Sequence, residues 1–171
     1  MSGIRRLLRS AISLRPRLAP SPVTLYLTVK FVHVLVAIVA VGSSAGSSLW
    51  LRLAMRSPAH LPFALRTTKF LDEVLTRPGL IVLLVTGLWM AASRWSLALF
   101  WVRSAVILVA IVLVVLYLVV GPLLQRLIRL AEVEGLASSR WARLDRAFEV
   151  AGGASGLIIV MVVWLMVTKP S

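Results

Sequence analysis

Lys30 and His33 stand three residues apart inside "TLYLTVKFVHVLVAIVAVGSS", a stretch made otherwise almost entirely of aliphatic and small residues. Ionisable side chains are costly in hydrocarbon and usually mark function where they occur. A neutral imidazole there has two chemistries: a hydrogen bond to a neighbouring helix, or ligation of a metal or heme iron. His33 is therefore the candidate metal ligand. Lys30 either snorkels its ammonium to the interface or answers an anionic group. Arg103 is a second cation inside a span, and a second axial ligand could be Met90, Met161 or Met166, or be absent. His60 follows His33 by 27 residues, roughly 40 Å along a helix. It belongs near the opposite membrane face and reads as a loop residue. There is no cysteine, and no phosphate-binding glycine loop, nucleophile–base pair or zinc spacing is visible. One in-span histidine with scattered methionines makes a poor copper site.

Four apolar stretches must position these groups. The chain of 171 residues is 60% hydrophobic with mean hydropathy +0.96, whereas soluble domains are about 45–50% apolar. Each stretch approaches the roughly 20 residues a crossing requires. The fold class is all-α, a polytopic membrane protein with a four-transmembrane-helix bundle. Residues 1–22 form a basic tail, expected to be flexible or to lie upstream of the native start. The membrane domain is 23–170, with helices at about 23–55, 78–93, 97–127 and 148–168. Pro78 and Gly121-Pro122 are expected kinks. The amphipathic "FALRTTKFLDEVLTRP" leads into the second helix and completes its crossing, and "RLIRLAEVEGLASSRWARLDRAFE" is a polar connection.

Helical spacing puts Lys30, His33, Ala37, Ala40, Ser44 and Ser47 or Ser48 on one stripe, with Val32, Val36 and Val39 facing lipid. Gly42 with Gly46, and Gly152 with Gly156, are small-xxx-small pairs. Helix packing is their first reading, and room for a flat ligand is the alternative. Such pairs would also suit a homo-oligomer.

An even number of crossings places both ends of the domain on one face, side A. Side B carries ten basic residues at its loops and helix ends, and side A carries Arg94, Lys169 and the tail. By the positive-inside rule side B is cytoplasmic and the termini are outside, as expected of a multi-pass protein of the bacterial inner membrane. The net charge of +13 is then explained by positive loops, and no nucleic-acid partner is expected. All six acids fall on side B and look solvated, so Lys30, Arg94 and Arg103 have no carboxylate on their side. Buried unpaired cations are expensive, which points to lipid phosphate or an anionic ligand such as a porphyrin.

Three segments carry a family resemblance: "TVKFVHVLVAIVAVG", "LTRPGLIVLLVTGLWM" and "LIIVMVVWLMVTKPS", with "WSLALFWVRSAVILV" in the place of a third helix. Together they resemble four-helix bacterial membrane proteins known only as predicted integral membrane proteins of unknown function. More distantly they resemble HemJ-type protoporphyrinogen oxidases and the membrane domain of CopD-type copper proteins. The HemJ resemblance implies heme b, with His33 as iron ligand and Lys30 and Arg103 near the propionates. Arg103 stands where that group carries lysine, and Glu149 is retained without the neighbouring proline. Two functions follow as expectations: a heme-binding, redox-active membrane protein, or a non-catalytic or transport-associated component without a cofactor.

Overall fold

A computed structural model describes residues 21–133 and 138–170 of the chain. The basic tail lies outside the described residues. The remainder forms four long helices: α1 Pro22–Ala54, α2 Leu61–Arg94, α3 Phe100–Val133 and α4 Ser139–Thr168. No strand occurs among the described residues. Each helix is long and apolar enough to cross a membrane, and both ends of the domain lie on one face.

Local chemistry sets the starts. Ser21 accepts the N–H of Thr24 at 3.2 Å and Pro22 occupies the first turn, the favoured pairing of cap and proline. Ser138 caps α4 in the same way, accepting the N–H of Trp141 at 3.1 Å. Three expected boundaries change. The second helix begins at Leu61, because the amphipathic lead-in is one continuous helix with the span. The third begins at Phe100, since Trp95 and Leu99 are extended and bracket a longer turn. The polar connection is mostly helix: α3 runs on to Val133 and α4 starts at Ser139.

The two prolines do not break their helices. Pro78 lacks an N–H and its ring conflicts with the carbonyl of Val74, as Pro122 does with Leu118. In both places the chain widens by one residue. Asp72–Thr76 and Leu116–Val120 are π turns, closed by Arg77 N–H to Asp72 C=O and by Gly121 N–H to Leu116 C=O. Such insertions are a common way to keep a helix continuous at a functional position.

The helices follow one another around the bundle. α1 packs on α2, α2 on α3 and α3 on α4, whereas α1 and α4 do not pack along each other. At 30–34 residues the helices are about 45–50 Å long, against about 30 Å of hydrocarbon. The excess projects on side B, where all four meet in a core of Leu51, Leu61, Leu65, Leu124, Leu127 and Trp141. The membrane half holds two smaller clusters, around Val112 and Val109, to which α1 contributes nothing.

The close contact of α1 and α2 is at Gly79, where a Cβ would lie 2.7 Å from that of Ala40. Val36 borders this contact, so it faces α2 and not lipid. The glycine pairs behave differently from expectation. A Cβ on Gly42, Gly46, Gly152 or Gly156 would meet nothing within 4 Å, so they join no helices within the chain.

Leu127 is fully buried among four helices. Leu127→Ala is expected to cost about 2–5 kcal/mol, read as a lowered midpoint of thermal unfolding in detergent, while Leu118→Ala on the outer face of α3 changes it little.

A candidate ligand cavity between the first and last helices

On the side-A half, His33 turns toward α2. Its Nδ1 lies 2.7 Å from Thr86 Oγ1, and that oxygen lies 2.6 Å from the carbonyl of Val82. The Thr86 hydroxyl donates its one proton to the Val82 carbonyl at that distance, so it can only accept from His33, whose Nδ1–H is the donor. Nε2 then carries the lone pair. The other candidate residues do not converge on it. Lys30 and Arg103 are exposed on the outer faces of α1 and α3, and Met161 and Met166 are exposed on α4. His60 is an exposed loop residue whose Nδ1 lies 2.8 Å from Ser57 Oγ.

The side-A cations answer a different partner from the one expected. The Arg94 guanidinium lies 4.7 Å over the ring of Tyr26, which stacks on Trp89. Lys169 Nζ lies 4.7 Å over Trp95, which meets Trp101 edge to face. Aromatic faces at the interface attract cations without any carboxylate. An anionic ligand is thus not required to satisfy these two groups.

Asp72 corrects the expectation that every acid is solvated. Its carboxylate accepts from Arg77 Nε at 2.7 Å, with the two side chains only 12% and 16% exposed. The π turn that carries Asp72 reaches just to Arg77. The guanidinium continues over the ring of Tyr117 at 4.8 Å and rests against Gly121, where a Cβ would collide with it. Both π turns therefore serve one buried ion pair.

Beside this pair lies a cavity of about 430 Å³ between α1 and α4. Its apolar end includes Ala40, Leu80, Val112 and Ile159, and Gly152, Gly153 and Gly156 open its α4 wall. Its polar end, on side B, has Arg52, Asp72, Asp145 and Glu149. Asp72 is answered by Arg77, and Glu149 faces Arg52 at 3.9 Å across the gap between the two helices. Asp145 has no cation within ion-pair distance among the described residues. Thr68, 6% exposed, also lines this end, and its hydroxyl has no hydrogen-bond partner among the described residues. An unpartnered buried hydroxyl is uncommon and calls for a water or ligand. Of the expected inward stripe, Ala40, Ser44 and Ser47 line this cavity, and Lys30 and His33 do not.

Residues 27–170 match the family described as predicted integral membrane proteins, DUF2269. The chain belongs to that family. No curated protein and no solved structure matches it. The DUF2269 match carries the membrane family, while the HemJ and CopD likeness rests on the quoted sequence segments alone. Among the described residues no group of three or more His, Asp or Glu side chains could hold a metal ion. The sequence missed Asp72, Thr68 and Arg77. Their one signal was an acid four residues before a threonine-arginine-proline.

Removing one partner of a buried ion pair leaves the other charge stranded, at about 3–5 kcal/mol, whereas replacing both with apolar groups is often neutral. Asp72→Leu alone is expected to lower the unfolding midpoint strongly. Asp72→Leu combined with Arg77→Met is expected to recover most of the loss.

Proposed function

We propose that this DUF2269 protein is a non-catalytic, transport-associated component of the membrane that accepts an amphiphile with an ammonium head into the α1–α4 cavity. The observation that carries this reading is the polar end of the cavity. There, among the described residues, Asp145 has no counter-ion and Thr68 Oγ1 no partner, beyond a glycine-opened apolar chamber. A protonated amine supplies the missing charge and a donor for each oxygen, and its hydrocarbon chain fills the apolar end. The arrangement offers binding and release, and brings no nucleophile–base pair to the cavity. By the ten basic residues at the loop end, side B faces the cytoplasm of a bacterial inner membrane. The cavity's polar end then faces the cytoplasm.

The test uses purified protein in phosphatidylcholine nanodiscs with decylammonium as probe and decanoate as the anionic control. A charge-assisted hydrogen bond contributes about 1.5–3 kcal/mol. Asp145→Asn is thus expected to weaken decylammonium binding at least about tenfold, and Gly156→Leu, which fills the cavity, to abolish it. Equal binding of decanoate, or variants that bind as well as the parent, would overturn the proposal.

A second reading is favoured by the His33–Thr86 bond. A partner on Nδ1 that fixes the tautomer and leaves Nε2 as the donor atom is the usual support for a metal-bound histidine. Under that reading the protein binds heme b through His33, and the chromophore sits outside the cavity. Protein from heme-replete cells would show a Soret band that His33→Ala removes; an empty visible spectrum ends this reading.

A further inference from the structure

Four arginines face one another at the side-B end of α3 and α4. Arg126 and Arg129 form one wall of a groove of about 420 Å³, Arg140 and Arg143 form the other, and Leu130 and Leu144 complete it. The members of each pair are three residues apart and share a helix face. Gathering the exposed like charges of Arg126, Arg129 and Arg143 around a groove costs free energy that a bound anion would offset. No carboxylate lies within ion-pair distance of Arg126, Arg129 or Arg143 among the described residues. The one acid of the described part of this end of α3, Glu132, is taken by Arg66 at 2.6 Å.

Depth decides what kind of anion. Apart from Val133 at its very end, the exposed large apolar residues of α3 stop at Val119, and on α4 they begin at Val150. Arg126 and Arg143 each lie seven residues beyond those limits, about 10 Å along the helix. The headgroup layer is about 5–8 Å thick on each face, and arginine side chains reach back toward it. Both walls thus bring a guanidinium to phosphate depth from opposite sides, with a second arginine one turn farther out. Planar guanidinium forks suit phosphate oxygens. Leu130 and Leu144 add an apolar surface for the glycerol and upper chain.

We infer that this groove is a binding site for the headgroup of an anionic phospholipid, held chiefly by Arg126 and Arg143. It is separate from the α1–α4 cavity in lining and in charge. The orientation that puts side B in the cytoplasm would make it a cytoplasmic-leaflet site, but the groove itself does not rest on that orientation.

Native mass spectrometry of the purified protein titrated with phosphatidylglycerol or phosphatidylcholine tests this. The parent is expected to retain phosphatidylglycerol preferentially, with retention weakening as salt rises. At about 1 kcal/mol per arginine near the surface, the Arg126→Gln, Arg143→Gln double variant should lose affinity on the order of thirtyfold. Arg146→Gln, a neighbouring exposed arginine outside the groove, should retain it and so excludes a general charge effect. Equal retention of phosphatidylcholine, an unaffected double variant, or an equal loss in Arg146→Gln would overturn the inference. So would displacement of the lipid by soluble pyrophosphate, which would assign the groove to a free anion.

Discussion

The Asp72–Arg77 ion pair is the constraint on which the middle of the bundle depends. Two charges can be held away from water only when each is satisfied by the other and by further contacts. The pair is joined at 2.7 Å, and the helix itself has to be reshaped to allow it. Residues five apart do not share a face of a regular α-helix, because five residues turn the side chains by about 500°, well past one full turn. The wide turn at Asp72–Thr76 reduces that mismatch and brings the carboxylate beneath the guanidinium. The matching wide turn in α3 presents Tyr117 to the same guanidinium, and Gly121 leaves the space it occupies. Proline supplies the local cause in both helices, and the ion pair supplies the tertiary use.

That pair also shapes the cavity. With Asp72 neutralised, the polar end is left with the Asp145 carboxylate and the Thr68 hydroxyl as groups unanswered among the described residues. The absence of packing between α1 and α4 leaves the chamber without a fourth wall of side chains, and the glycines of α4 widen it. The bundle tolerates this opening because its cohesion lies elsewhere. All four helices are joined in the projecting core around Leu127 and Trp141, where water makes apolar burial favourable. Inside the membrane that driving force is missing, and α1 is held there by its contacts with α2, among them the close approach at Gly79 and the His33–Thr86 bond.

Much of this was legible along the chain, and the failures have physical causes. Composition identified four crossings, and the helical spacing of Ala40, Ser44 and Ser47 identified a polar wall. Pro78 and Pro122 were recognised as irregularities, but a kink and a π turn leave the same mark in sequence. Asp72 looked solvated because it sits in an alternating polar stretch next to Glu73, and nothing local reveals that only one of the two carboxylates turns inward. The small-xxx-small pairs looked like packing seams. A glycine reports only that room exists, and the neighbouring helix decides whether that room is filled. The arginines of the two helix ends read as loop charge in the sequence, 11 to 17 residues apart from one helix to the other, with no sign that they share a groove.

By itself the sequence determined the membrane, the number of crossings, the common face of both ends and the uneven charge of the two faces. These follow from the hydropathy and length of single segments, and a segment's transfer to hydrocarbon depends on its own residues. The tertiary structure alone decided which polar groups meet. It set His33 on Thr86, Arg94 on Tyr26 and Arg77 between Asp72 and Tyr117. It left Lys30 and Arg103 on outer faces, and it placed the cavity nearer side B than the Lys30–His33 pair. Each of these depends on the rotation and neighbours of whole helices. A rotation of 100° per residue, altered by one inserted residue at each π turn, moves a side chain from lipid to interior with no change in the apolar pattern from which the spans were read.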